Sequence, residues 1–265
     1  MKYSFEVHSI CELGKRTNQE DCIYPWNGDY SDGLFIVCDG MGGHEKGEVA
    51  SATVCEVMSS YIDNHFKDKD EFTQDDFLDA LSAAYDALDE KDDGSEKKMG
   101  TTLTFLKFHD GGCLAAHIGD SRIYHIRPSA KRILYVSRDH SLVNELIALG
   151  EMTPEEAKTS RQKNIITRAM QPCQERRSKA DIRIIEDVRN GDYFYMCTDG
   201  MLERTEDREI LNILSMKDRT DEEKMEIFRK LAEDNRDNHS AFLIRVTEGG
   251  NKRRTLKDIL FDLWN

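Results

Sequence analysis

Leu34-Phe-Ile-Val-Cys-Asp39-Gly40 is an apolar run that ends abruptly in an acid and a glycine. Tyr193-Phe-Tyr-Met-Cys197, followed by Thr198-Asp199-Gly200, repeats the arrangement late in the chain. Unbroken apolar runs of this length, bounded by turn residues, read as strands buried on both faces. Each is a rigid arm holding a carboxylate at its end, and the following glycine lets other backbone come close. One Asp-Gly after one strand is an ordinary turn. Two such arms in one chain call for a look at the other acids.

Further strands are expected at Tyr3–Ile10, Thr102–Phe108, Cys113–Ile118, Arg122–Ile126, Ile133–Val136, Ile182–Ile185 and Ala241–Val246. Helical spacing covers Gly47–His65, Gln74–Lys91, Ser141–Leu149, Pro154–Thr159, Asp207–Leu214 and Asp221–Asn235. Thr153-Pro-Glu-Glu156 and Thr220-Asp-Glu-Glu223 read as capping boxes at helix starts. Strands in adjacent runs with helices set apart predict an α+β fold of antiparallel sheets with helices outside. Residues 1–248 read as one domain. Its polar helical span Ser141–Gln174 is either a flap beside a site or a structural excursion.

The bulk properties narrow the classes. A chain of 265 residues can bury one substantial core. A net charge of -14 argues against nucleic acid as partner, since phosphate backbones need a basic surface. No apolar run approaches the roughly 18 residues of a membrane span, and Met1–Ile10 lacks a signal-peptide core, so a cytoplasmic protein is expected. Seven cysteines without a CxxC pair read as reduced thiols, not as disulfides or a zinc site.

The remaining acids fall at strand ends. Asp237-Asn238 precedes the strand Ala241–Val246, and an antiparallel neighbour begins where its partner ends, so Asp237 can meet Asp39 and Asp199 at one sheet edge. Asp120 sits in Gly119-Asp-Ser-Arg122, which alone is an ordinary hairpin turn. Glu20 and Asp21 follow the first strand after a short loop. Six acids converging would repel strongly. Oxygen-only ligation by hard cations resolves this and favours Mg²⁺ or Mn²⁺ over Zn²⁺. Two such ions roughly 3.5–4 Å apart can activate a water and clamp a phosphoryl group.

Seven ordered motifs then carry a resemblance over Glu6–Val246: Gly14-Lys-Arg16 with Glu20-Asp21, Val37-Cys-Asp39-Gly-Met-Gly-Gly-His44, Met99-Gly-Thr-Thr102, His117-Ile-Gly-Asp-Ser-Arg122, Ser137-Arg-Asp-His-Ser141, Cys197-Thr-Asp-Gly200 and Asp237-Asn-His-Ser240. Together they resemble the PP2C-type metal-dependent protein serine/threonine phosphatases, above all the short bacterial members. The resemblance implies two antiparallel sheets packed as a sandwich, flanked by helix pairs, with two Mn²⁺ or Mg²⁺ ions at one edge. It implies that Asp39 bridges both ions, with the Gly40 carbonyl as a further ligand. Asp199 and Asp237 would hold the first ion and Glu20 the second. Asp21 would orient water from behind, and Asp120 with Asp199 would form a weaker third site. Arg16 resembles the arginine that grips the substrate phosphate. Phosphorylated proteins, made by a serine/threonine kinase, would be the partners.

Some positions depart from the family pattern. Met41 stands where many eukaryotic relatives carry a histidine proposed as general acid, so the leaving group's proton must come from water or another group; His44 lies near. Gln19 replaces a frequent asparagine, and Gln171-Pro172 replaces a glycine continuation after Ile166–Met170. His140 is expected to fix a helix junction, and the other histidines to be surface or satisfied polar residues. Beyond the resemblance, Asn251–Asn265 has a basic start and an apolar stripe at Leu256, Ile259, Leu260, Leu263 and Trp264. That tail, counted from residue 249, either packs on the domain or docks to a partner or membrane surface. A catalytically dead binding module on the same fold is the second reading, opposed by the intact Glu20, Asp39, Asp199 and Asp237. A two-metal phosphodiesterase or nuclease is the third, opposed by the acidic charge and the lack of an aromatic-basic strip.

Overall fold

Phe35 and Val37 face one buried core while Leu34, Ile36 and Cys38 face another, so a single strand serves two layers. This is why the run carries no polar alternation: neither face meets water. The computed structural model describes residues 3–42, 46–67 and 69–249. In chain order it has strands β1 (Ser4–Glu12), β2 (Asp21–Tyr24) and β3 (Leu34–Met41), then helices α1 (Lys46–Phe66) and α2 (Gln74–Glu90). Strands β4 (Gly100–Thr101), β5 (Leu103–His109), β6 (Gly112–Ile118), β7 (Arg122–Arg127) and β8 (Arg132–Val136) follow. Helices α3 (Leu142–Leu149) and α4 (Pro154–Thr159) precede β9 (Asp181–Ile185) and β10 (Tyr193–Cys197). Helices α5 (Asp207–Leu214) and α6 (Asp221–Ala232) lead to β11 (His239–Glu248).

Two antiparallel sheets result, in the orders β1-β11-β10-β7-β8 and β2-β3-β5-β6-β9, with β4 paired to β3. Between them lies an aromatic core: Phe35 meets Phe242 with ring centroids 5.5 Å apart, and Phe108 meets Phe194 at 5.0 Å, both edge-on. Edge-on pairs of this kind contribute about 0.5–1.5 kcal/mol beyond the area they bury. Outside the second sheet, α1 and α2 cover Leu34, Ile36 and Cys38. Outside the first, α5 and α6 cover Tyr195, Cys197 and Leu243. The α+β sandwich expected from the sequence is therefore present.

Thr153 and Thr220 both close capping boxes as expected, and Thr73 with Asp76 forms a third. The seven cysteines are free thiols, though Cys11 and Cys173 are exposed and do not serve as apolar filling. Among the described residues no helix is long and apolar enough to cross a membrane. The tail expected from residue 249 onward lies outside the described residues from 250, as does His44.

Three expectations need correction. Strands β2 and β4 were not anticipated; β2 is four residues stopped by Pro25, and its pairing partner β3 lies beyond an intervening loop. Gly119-Asp-Ser121 is no hairpin, because β6 and β7 belong to different sheets and the turn crosses the sandwich. Helix α6 ends at Ala232, short of Asn235, whose side-chain amide instead donates to the Gly200 carbonyl at 2.6 Å.

Candidate active site

One end of the sandwich collects the acids from both sheets, not from the single sheet edge expected. Asp39 lies near the end of β3, directly opposite Asp21 on β2. Cys197 pairs with Ala241, so Asp199 just past β10 lies near Asp237 just before β11. The crossing turn adds Asp120. A cleft of about 530 Å³ is lined by Arg16, Glu20, Asp39, Gly40, Asp199 and Asp237. A second cavity of about 800 Å³ adjoins it, sharing Arg16, Asp199 and Asp237 and adding Asp120. Asp21 alone among the expected site residues lines neither; it is buried behind Asp39.

Main-chain bonds fix these positions. The Asp39 amide donates to Thr102 Oγ1 at 2.9 Å, and its carbonyl accepts from the Thr102 amide and the Thr101 hydroxyl, each at 2.9 Å. The Glu20 carbonyl accepts from the Gly40 amide at 3.1 Å and from the Ser51 hydroxyl at 2.5 Å. Gly40 has to be glycine: a Cβ there would stand 2.2 Å from the Gly47 carbonyl oxygen and 2.4 Å from that of Glu20. Thr198 ties the sheets together. Its hydroxyl donates to Asp21 Oδ2 at 3.0 Å while its oxygen accepts the Ser240 amide at 3.0 Å.

The electrostatics are those of a site built for an external positive charge. Desolvation pushes the Asp21 carboxyl up to about 7, against hydroxyls of Ser240 and Thr198, with Asp199 and Asp237 adding to the rise. Desolvation likewise lifts Asp120 to about 8, reinforced by Asp199 and Asp139. Asp39 is raised well above the usual carboxylate range by burial and then by Asp21, Asp199, Asp120 and Asp237. Asp199 is raised by burial and by Asp237, while a hydrogen bond with Asp39 opposes the shift. Asp21 Oδ1 and Asp120 Oδ1 are buried without any hydrogen-bond partner. Orphaned carboxylate oxygens in a crowd of like charges, with oxygen the sole donor type, fit hard divalent cations. The donors suit Mn²⁺ or Mg²⁺, as the sequence led us to expect.

Arg16 forms an ion pair with Asp237 Oδ2 at 2.6 Å through one Nη, leaving the rest of its fork open to the cleft. Met41 lines the cleft and offers no proton. The Gln19 side-chain carbonyl accepts the Asp21 amide at 3.0 Å, a local turn that leaves the acids in place. His140 fixes more than a helix start. Its Nδ1 accepts the Gly119 amide at 3.0 Å and its own amide donates to the Gly119 carbonyl at 2.9 Å, so it holds the turn that carries Asp120.

His117, expected to be a surface or satisfied polar residue, is buried, with Nε2 on the Arg138 carbonyl at 2.9 Å and Nδ1 without a hydrogen-bond partner. It stacks on His140 at 4.6 Å, and with Asp181 the ligand atoms lie within 4.8 Å of one another. This trio does not suit a cation: Arg168 reaches Asp181 at 3.0 Å and His140 at 3.2 Å, placing positive charge there already.

Sequence reasoning missed Asn238. Its side-chain carbonyl accepts the Glu20 amide at 2.8 Å, and its amide donates to the carbonyls of Leu13 at 2.8 Å and Asn18 at 3.0 Å. One buried side chain thus holds the whole loop bearing Arg16 and Glu20. An asparagine next to a candidate ligand was the available signal, but its partners lie more than two hundred residues away in the chain.

Comparison with known proteins agrees with this geometry. A family model described as protein phosphatase 2C matches residues 13–244. Protein phosphatase PhpP of Streptococcus pneumoniae serotype 2 is 33% identical over 214 residues, 79% of this chain and 84% of its own length. The solved serine/threonine phosphatase PstP/Ppp of Mycobacterium tuberculosis is similar with a TM-score of 0.78 at 27% identity, over 92% of this chain and 99% of that one. A structure of the PstP catalytic domain in complex with two manganese ions is similar at a TM-score of 0.73 and 28% identity, over 92% of this chain and 99% of that one.

Proposed function

The chain belongs to the protein phosphatase 2C family, and on that premise we propose that it hydrolyses phosphoserine and phosphothreonine monoesters in proteins. The observation carrying this reading is the convergence of carboxylates from both sheets, several raised above the usual carboxylate range by burial and by one another, and two with orphaned oxygens. In this reading Asp39 and the Gly40 carbonyl would serve two cations, with Asp199 and Asp237 helping to hold the first and Glu20 the second. Asp120 with Asp199 serves a weaker third. Bound Mn²⁺ or Mg²⁺ would offset the clustered charge and make a water acidic enough to attack phosphorus near neutral pH.

The chain's own groups do the rest. Arg16 keeps one Nη on Asp237 and turns its remaining N–H donors to the phosphate oxygens, where a planar fork gives both charge and orientation. Asp21, anchored by Thr198, keeps a carboxylate behind the floor to orient water. Met41 cannot protonate the departing seryl or threonyl oxygen, so that proton comes from water or another group. The substrates are products of a serine/threonine kinase, and the seven free thiols accord with a reducing, cytoplasmic setting.

The test is an assay of para-nitrophenyl phosphate, a phosphothreonine peptide and a bis-ester, each with Mn²⁺ or with EDTA. Turnover of both monoesters with Mn²⁺, lost in EDTA, and inert bis-ester is expected. Inert monoesters in Mn²⁺ would end the proposal.

A further inference from the structure

The larger cavity beside the cleft has a character that phosphate hydrolysis does not explain. It is formed by α3, α4 and the 199–203 and 236–237 corners, and it shares Arg16, Asn164, Asp199 and Asp237 with the catalytic cleft, so the two spaces are continuous. Its wall includes Val143, Ile147 and Ala157, an apolar surface reaching away from the acids.

Basic side chains gather along it in a chain with a net charge of -14. Lys158, Lys163 and Arg236 line it, and Lys97 stands at the mouth of the adjoining cleft. The side chains of Lys97, Lys163 and Arg236 make no ion pair among the described residues, and Lys158 has only a loose one, 3.7 Å from Glu206. The acids that face them are already committed. Asp139 is closed on Arg122 at 2.6 Å and 2.7 Å. Glu203 accepts the Arg236 and Asp237 amides at 3.0 Å and 3.1 Å. Asp120, Asp199 and Asp237 form the cation floor.

We propose that this groove seats the substrate's polypeptide next to the phosphorylated residue and selects segments with acidic side chains there. This rests on the phosphatase reading and adds a substrate class to it. An anionic phosphoprotein approaching an acidic enzyme is repelled at long range, and local cations beside the cleft offset that repulsion and set the bound register. An exposed pair is worth only about a fewfold in affinity, so three acting together give about a tenfold preference.

Three phosphothreonine peptides, identical except for glutamate, alanine or lysine flanks, would be compared with the full chain in Mn²⁺. The glutamate peptide should lead the alanine peptide about tenfold in kcat/KM, through KM and not kcat, with the gap shrinking as salt rises. Combined Lys158→Glu, Lys163→Glu and Arg236→Glu should reverse that order, and Lys163→Ala alone should narrow it. Equal use of all three flanks, or an order the triple variant leaves intact, overturns the groove assignment while alanine-peptide turnover keeps the phosphatase reading standing. An inert alanine peptide sinks the phosphatase reading, and this inference with it.

Discussion

Asp192 and Asp199 flank the same five-residue strand, β10, and are treated in opposite ways. Asp192 is wrapped: Arg127 reaches it with Nε and Nη2, each at 2.7 Å, His125 at 2.9 Å and the Arg189 amide at 2.9 Å. Burial favours its neutral form, yet the bonds from Arg127 and His125 win and hold it below the usual carboxylate range. Asp199 lies among other acids, and burial with Asp237 raises it. Asp221 at the edge of α6 follows the Asp192 pattern, with Lys224, Arg245 and Tyr193 on its oxygens. The chain evidently can neutralise a buried acid where it serves as structure. At the cleft Asp21, Asp39 and Asp199 have no ion pair among the described residues, which is what a site loaded from solution requires.

The two ends should therefore fail differently. Asp39→Ala should lower turnover of a phosphothreonine peptide about a thousandfold or more, equivalent to roughly 4 kcal/mol of lost transition-state stabilisation, while urea unfolding of the metal-free protein is unchanged or improved. Asp192→Ala should do the reverse. It leaves Arg127 with Asp187 alone and His125 without its carboxylate partner, and about 3 kcal/mol of stability should go in the same urea titration. Equal loss of stability in the two variants would erase the distinction.

A pH series on metal-free protein sharpens it further. Asp21 and Asp120 titrate higher when folded than when unfolded, so their neutral forms cost nothing in acid and folding loses ground as pH rises. The melting temperature should fall from about pH 4 to pH 8, with a ceiling of about 4 kcal/mol for Asp21. Added Mn²⁺ should restore it, more strongly at the higher pH. A flat metal-free profile would mean the acids are already compensated. Asn238→Ala should remove about 1–3 kcal/mol by leaving loop amide and carbonyl groups without partners, and it should lower Mn²⁺ affinity in calorimetry by freeing Glu20. Arg16→Ala should have the smallest effect, raising KM about tenfold with kcat nearly intact; an unchanged KM would remove it from phosphate binding.

The strands and acids were legible because they are local signals. Leu34–Asp39 and Tyr193–Asp199 announce themselves by apolar runs ending in a carboxylate, and Thr153 and Thr220 by cap spacing. What could not be read is set by pairing at a distance. The strand status of Asp21 depends on Asp39, the crossing at Gly119 depends on which sheet each neighbour joins, and Asn238 matters for what it touches near Leu13. His117 and His140 meet only because the turn between β6 and β7 folds back onto the segment after β8. None of these has a spacing that a sequence could display.

Asp39 hangs from one sheet while Asp199 and Asp237 hang from the other, and the rings of Phe35, Phe108, Phe194 and Phe242 fill the gap between. The span across the acids is therefore gauged by how thick that filling is. A substitution deep in the aromatic layer, touching no acid, would shift one jaw of the clamp against the other. The grip on a pair of ions, and the temperature at which it slackens, is thus set by hydrocarbon some distance from any charge.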